Sequence, residues 1–219
     1  MPLKLLVLAS GRGSNVDRVA RSIKEGKLDC EIVAVVTNVE DAGVIDIAAT
    51  HGLPCYVVPS RSLKRRQHEE ELLAFLAEKG LTRDSIDFVL LAGYMRILTG
   101  HFLSAFKEDS AKGSYYRVVN IHPSLLPSFT GATAYADAFA AGVAVSGVTV
   151  HLVDEEVDHG PILAQAPFFR KAGDDFESFA CRGLDLEHIL LPAVLSRLAK
   201  LGTAFALSSL PFDMGGLSG

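Results

Sequence analysis

The sequence predicts an α/β protein, an open, mostly parallel twisted sheet with helices on both faces. Three observations predict it. Short continuous apolar runs recur along the chain, as in strands buried on both faces. Segments with helical apolar spacing alternate with them, the pattern of βαβ units. Several of the runs end in glycine- or proline-rich loops carrying polar residues, which is how such sheets present ligand sites at strand carboxyl ends.

The first run, 4–9, is followed by Ser10-Gly11-Arg12-Gly13-Ser14-Asn15 and a helix-like stretch over 16–25. A second strand is expected at 31–36. A short helix over 43–51 is stopped by Gly52 and Pro54, and a third strand covers 55–58. Leu72, Leu73, Phe75 and Leu76 give 63–79 helical spacing, and Gly80 ends it. Its Lys64-Arg65-Arg66 and Glu69-Glu70-Glu71 read as one helix surface of mixed charge. A strand at 86–92 leads to Gly93-Tyr94-Met95-Arg96-Ile97-Leu98, and Thr99 or Gly100 starts a short helix to Phe106. Residues 107–117 are polar and read as a surface excursion. Beyond the apolar pair Val118-Val119, an Ala-rich helix is expected over 131–141 and a half-buried strand over 145–153, where Val148, Val150 and Leu152 alternate with Thr149 and His151. An acidic turn at 154–161, a strand at 162–169 and a helix from 174 to about 201, interrupted or kinked at Pro192, complete the pattern. Residues 1–219 read as one domain, with 202–219 as a Gly- and Ser-rich flexible tail.

Bulk properties exclude several classes. A formal charge of -5 argues against a general nucleic-acid binder. The apolar stretch 3–9 is too short to span a membrane. Cys30, Cys55 and Cys181 are odd in number and widely spaced, which suggests reduced thiols in a cytoplasmic protein and offers no metal site.

Two loops carry chemistry. Gly13 to Asn15 opens a helix directly after a strand, where free N–H groups and the positive helix end favour an anion. Val16 stands where the dinucleotide fingerprint needs a third glycine, so a phosphate on a smaller ligand is expected. The alternative is a tight turn with a Ser or Asn helix cap. In Asn120-Ile121-His122-Pro123-Ser124-Leu125-Leu126-Pro127, Asn120 and His122 are two apart and share one face of a strand. Pro123 keeps His122 extended, and the two prolines fix a loop. The alternative here is a strand end whose Asn and His satisfy loop backbone groups.

Ser-Gly-x-Gly-Ser-Asn, Ala-Gly-Tyr-Met-Arg-Ile-Leu, Asn-Ile-His-Pro-Ser-Leu-Leu-Pro and Val-Thr-Val-His-x-Val-Asp with its later Val-Asp-x-Gly-Pro-Ile come in an order that resembles the folate-dependent phosphoribosylglycinamide formyltransferases, a branch of the formyltransferase superfamily. The resemblance runs over about 3–201 and implies a Rossmann-like formyltransferase fold. It implies that an amine of glycinamide ribonucleotide takes the formyl group of 10-formyltetrahydrofolate, in purine biosynthesis. Asn120 and protonated His122 would serve as donors to the oxyanion, and Asp158 would keep His122 charged and accept the amine proton. Gly13, Ser14, Asn15 and Glu187 would hold the substrate phosphate and ribose. Met95, Arg96, Ile97, Leu98, Val153 and Asp154 would line the folate site, with Arg65, or Arg66, at the folate glutamate. His151 would support by hydrogen bonding. No metal, nucleic acid or membrane partner is implied, and the state would be monomer or homodimer.

The chain also departs from that pattern. Gly131-Ala132-Thr133-Ala134-Tyr135-Ala136 stands where the family often reads Gly-x-His-x-x-Arg, so an imidazole and a guanidinium are replaced by Thr133 and Ala136. His159 replaces a small or hydroxyl residue. Glu187 as a solvated helix charge, Met95 or Leu98 as ordinary core, and Asp158 as a plain turn carboxylate are the plainer alternatives. A formyltetrahydrofolate hydrolase and a degenerate binding module remain the other functions consistent with the sequence.

Overall fold

In the computed structural model, residues 1–110 and 113–202 are described. A seven-stranded sheet runs in the order β3-β2-β1-β4-β7-β8-β9. Its strands are β1 (Leu3–Ala9), β2 (Cys30–Thr37), β3 (Cys55–Val57), β4 (Phe88–Leu91), β7 (Val118–His122), β8 (Val145–Leu152) and β9 (Ile162–Phe169). The first five pair in parallel, and β8 and β9 add on antiparallel. This is the mostly parallel α/β sheet expected from the alternating runs.

Among the described residues six helices connect and cover the strands: α1 (Ser14–Lys24), α2 (Val44–His51), α3 (Arg65–Glu78), α4 (Gly100–Ser104), α5 (Ala134–Ala140) and α6 (Phe176–Leu201). One face of the sheet packs on α1 and α6, through Val16, Val19, Leu190, Leu191 and Val194. The other packs on α3 and α4, through Leu72, Leu76, Phe102 and Leu103. Leu5, Leu6, Val7 and Leu8 of β1 are fully buried, so the continuous apolar run is the consequence of cover on both sides.

Four expectations change. Segments 107–110 and 113–116 form an antiparallel pair, β5 (Lys107–Ser110) with β6 (Gly113–Tyr116), in which Tyr115 is buried while Asp109 and Ser114 stay exposed. β8 is buried along both faces from Ser146 onward, since the proline loop and the cavity cover its polar side. The helix expected from 131 begins at Ala134, because Gly131 has a left-handed φ of +89° and spends its N–H on Asp158. Helix α6 runs unbroken through Pro192. A proline there removes the hydrogen bond to the carbonyl of His188; Arg18 Nε of α1 donates to that carbonyl instead, at 3.0 Å. The tail at 203–219 lies outside the described residues.

Candidate active site

The carboxyl ends of β1, β4 and β7 open into a cavity of about 480 Å³. Its position follows from topology: β1 connects outward to β2 on one side and pairs with β4 on the other, leaving a crevice between their loops. Ser10 N donates to Gly93 O across that crevice at 3.0 Å.

The centre of the cavity holds Asn120, His122, His151 and Asp158. Antiparallel pairing sets Asn120 directly opposite His151, and Asn120 Nδ2 lies 3.1 Å from His151 Nε2. His151 donates its Nδ1–H to Leu152 O at 2.8 Å, so its Nε2 is the acceptor and the Asn120 amide is held with its NH₂ inward. Burial pushes the His151 pKa down, which favours this neutral form. One N–H of Asn120 is then left for the cavity. His122 is 4% exposed, and its Nε2–H donates to Phe129 O at 2.8 Å. Its Nδ1 faces Asp158 Oδ1 at 3.4 Å, longer than a charge-assisted hydrogen bond. Asp158 Oδ2 accepts from Gly131 N at 2.7 Å.

Two residues here have left-handed backbones, Asp158 (φ +56°) and Phe129 (φ +53°). Aspartate tolerates this region; phenylalanine does so rarely, at a cost of about 1–3 kcal/mol. The cost falls where the carbonyl must turn to meet His122. The loop between them is held by Thr149, whose Oγ1 donates to Ser124 O and accepts from Leu126 N, and by Gln165 Nε2, which donates to Leu126 O. The Leu126–Pro127 peptide is cis.

At one end of the cavity lie Asn15 and Glu187. Glu187 is 7% exposed, not a solvated helix charge. Its Oε2 accepts from Asn15 Nδ2 and its Oε1 from Tyr135 OH, each at 2.7 Å. Burial raises its pKa, and these two donors oppose the rise. Gly13 caps α1 without any side-chain capping bond, so the Ser or Asn cap does not form. Its φ is +82°, and a Cβ there would lie 2.9 Å from Val44, so only glycine fits. Gly13 and Ser14 sit beside the cavity and do not line it.

At the other end, Tyr94, Met95, Arg96, Ile97 and Leu98 face Val153, Asp154 and Val157. Met95 and Ile97 are exposed, whereas Leu98 is core at 4% exposure. The loop is held from beneath. Met95 N donates to Ser10 Oγ at 2.8 Å, and Ser10 in turn donates to Asn38. Glu69 accepts from Thr99 N and Thr99 Oγ1, both at 2.6 Å, and His68 Nε2 meets Tyr94 OH at 2.8 Å. Both residues are 1% exposed, so the acidic half of the α3 charge pattern is partly interior. Arg96 turns its guanidinium away, to Leu63 O at 3.2 Å. Arg65 is exposed on the first turn of α3 and does not line the cavity; Arg66 pairs with Glu70 along the same helix. His159 is exposed and donates to Asp154 Oδ2 at 2.8 Å, away from the central cluster. Thr133, at the N-cap of α5, and Ala136 on it are exposed, with Thr133 bonded to Asp137.

Sequence reasoning missed Tyr135, Glu69, Thr149, Gln165 and the Phe129 carbonyl. Only Thr149 carried a signal, through its alternation in β8 with the site residue His151.

Residues 3–195 match the family model described as formyl transferase. The chain belongs to the formyltransferase family. It is 34% identical to phosphoribosylglycinamide formyltransferase of Bacillus subtilis over 198 residues, covering 90% of this chain and 95% of that protein. It is 36% identical over 197 residues to human trifunctional purine biosynthetic protein adenosine-3, of which the match covers 18%. Among solved structures, phosphoribosylglycinamide formyltransferase from Bacillus halodurans superposes with a TM-score of 0.79 at 36% identity, over 96% of this chain and 100% of that one. Glycinamide ribonucleotide transformylase 1 from Symbiobacterium toebii gives 0.80 at 33% identity, over 91% and 88%. No helix of the described residues in this formyltransferase is long and apolar enough to cross a membrane.

Proposed function

We propose that this formyltransferase moves the formyl group of 10-formyltetrahydrofolate to the amine of glycinamide ribonucleotide, a step of purine biosynthesis. The observation that carries this reading is one cavity with a polar, carboxylate-bearing end, a Asn–His–Asp centre and an apolar-lipped end. The name of the Bacillus subtilis relative at 34% identity supports the choice of acceptor, and that of the human relative at 36% supports purine biosynthesis.

The amine lone pair attacks the formyl carbon and the carbonyl electrons move onto oxygen. Asn120 offers its spare N–H to that oxyanion. His122 offers Nδ1–H, because Nε2–H is committed to Phe129 O and the Nδ1 contact to Asp158 is loose. Asp158 takes the proton released by the amine, through water. The carbon–nitrogen bond to tetrahydrofolate then breaks, its electron pair stays on that nitrogen, and a proton delivered from His122 neutralises it. Gly13, Ser14 and Asn15 receive the phosphate at the start of α1, and Glu187 accepts from ribose hydroxyls. The folate ring lies against the backbone of 96–98 and of 153–158.

Turnover of 10-formyltetrahydrofolate with and without glycinamide ribonucleotide tests the reading. Consumption that needs the ribonucleotide and yields its formyl adduct is expected. Formate release at the same rate without it would overturn the transfer.

A further inference from the structure

We propose that Tyr135 is a positioning residue for the ribonucleotide, holding Glu187 in the orientation that receives the sugar hydroxyls, in a seat that Gly183 opens. The inference rests on the reading of Glu187 as the ribose contact and goes beyond it.

Tyr135 stands on α5, does not line the cavity, and reaches it only through Glu187. The carboxylate receives one donor on each oxygen, Tyr135 OH on Oε1 and Asn15 Nδ2 on Oε2, both at 2.7 Å. Two donors from two different helices fix the plane of the group. A carboxylate has about four acceptor positions, so those left over are turned to the cavity that Glu187 lines.

The seat is specific. Gly183 lies one helical turn before Glu187 on α6, and a Cβ there would fall 2.4 Å from a ring carbon and from the hydroxyl oxygen of Tyr135. Any other residue at 183 would displace the phenol. The choice of a phenol also has a chemical consequence. It donates without carrying charge, so it satisfies one oxygen of Glu187 without a cation beside it; an imidazolium or guanidinium in this place would form an ion pair with the carboxylate instead. Burial raises the Tyr135 pKa far above neutrality, so the phenol stays a donor. The groups that lower the Glu187 pKa against its own burial are Asn15, Tyr135 and, through space, His122 of β7.

The test is steady-state kinetics of Tyr135→Phe, Glu187→Gln, the double variant and Gly183→Ala, across roughly pH 5.5–8.5. Phenylalanine keeps the ring over Gly183 and removes only the donor. Tyr135→Phe is expected to raise the KM for the ribonucleotide about tenfold, the scale of a hydrogen bond to a charged group. Its kcat and its KM for the folate stay within about twofold. Losing the donor lets the Glu187 pKa rise further, so the ribonucleotide KM should worsen earlier as pH falls. Added to Glu187→Gln, the substitution should shift the KM less than it does alone. Gly183→Ala should reproduce the KM effect by pushing the phenol aside. An unchanged ribonucleotide KM and pH profile in Tyr135→Phe would overturn the inference. If Glu187→Gln raises that KM while Tyr135→Phe does not, only the role of Tyr135 falls. If Glu187→Gln leaves it unchanged, the ribose reading itself falls.

Discussion

The two ends of the cavity are built differently. The Asn15–Glu187 end is made of two buried side chains and the half-buried Tyr135, brought together from α1, α6 and α5, across as many as 172 residues of sequence. The 93–98 end presents backbone and the exposed side chains of Met95 and Ile97, while its buried polar groups, Glu69 and His68, sit behind the loop and hold it. A sugar and a phosphate need charges and dipoles fixed in advance; a flat heterocycle needs an edge of backbone and an apolar face. The first design places its precision in residues that line the cavity, the second in residues one layer removed.

That contrast can be broken or sharpened by substitution. The largest effect belongs to the centre, which serves both ends. His122→Ala should lower kcat by about 10²–10⁴ and leave both KM values near wild type. A change confined to one KM would assign His122 to one end. Next, Glu187→Ala should raise the ribonucleotide KM roughly 10–100-fold and spare the folate KM. It also orphans Asn15 Nδ2 and Tyr135 OH, so denaturant unfolding should show a loss of about 1–3 kcal/mol.

Glu69→Ala is the mirror experiment. It removes both acceptors of Thr99, so stability should fall by about 1–3 kcal/mol. Here the folate KM should rise severalfold and the ribonucleotide KM stay constant; an equal rise in both would erase the distinction between the ends. Met95→Ala removes an exposed side chain. Unfolding should change by less than about 0.5 kcal/mol, and the folate KM by about threefold, less than the worth of one methylene.

The smallest effect is that of His159. Asp154, by hydrogen bond and by charge, holds its pKa above the usual imidazole range. The charged pair therefore exists in full at acid pH and is lost as pH rises through that raised pKa. His159→Ala and wild type should differ in folate KM only on the acid side and converge at alkaline pH. A difference that persisted at alkaline pH would mean the ring packs against the ligand rather than pairing with Asp154.

The same contrast explains what was legible in the sequence. Strands buried on both faces advertise themselves as apolar runs, so the sheet and its parallel core could be read directly. Asn120 and His122 were legible because a strand fixes which residues share a face. Asn15 was read from the glycine loop and again through family resemblance, Glu187 through resemblance alone, and the cavity does bring them together. Tyr135 and Glu69 were not legible. Their partners lie 52 and 30 residues away, and no periodicity encodes a contact between separate elements. Glu69 was further disguised by its neighbours, since an interior carboxylate in a run of surface ones looks like the rest of the run. Arg65 stands exposed on the first turn of α3, outside the cavity lining; charge and sequence distance alone do not fix where a residue stands relative to a site.

The proline in α6 has a consequence for how this protein can change over time. Arg18 and Pro192 meet at the His188 carbonyl, far apart in sequence and close in space. A lineage that first replaced Pro192 with an ordinary helical residue would strand nothing, because a carbonyl has two lone pairs and can accept from the restored N–H and from Arg18 together. A lineage that first lost Arg18 would leave that carbonyl to water and remove one polar contact between α1 and α6, which still pack through Val16, Val19, Leu190, Leu191 and Val194. The two substitutions are therefore unequal in effect: losing the proline leaves the Arg18 contact intact, whereas losing Arg18 removes the side-chain donor to that carbonyl.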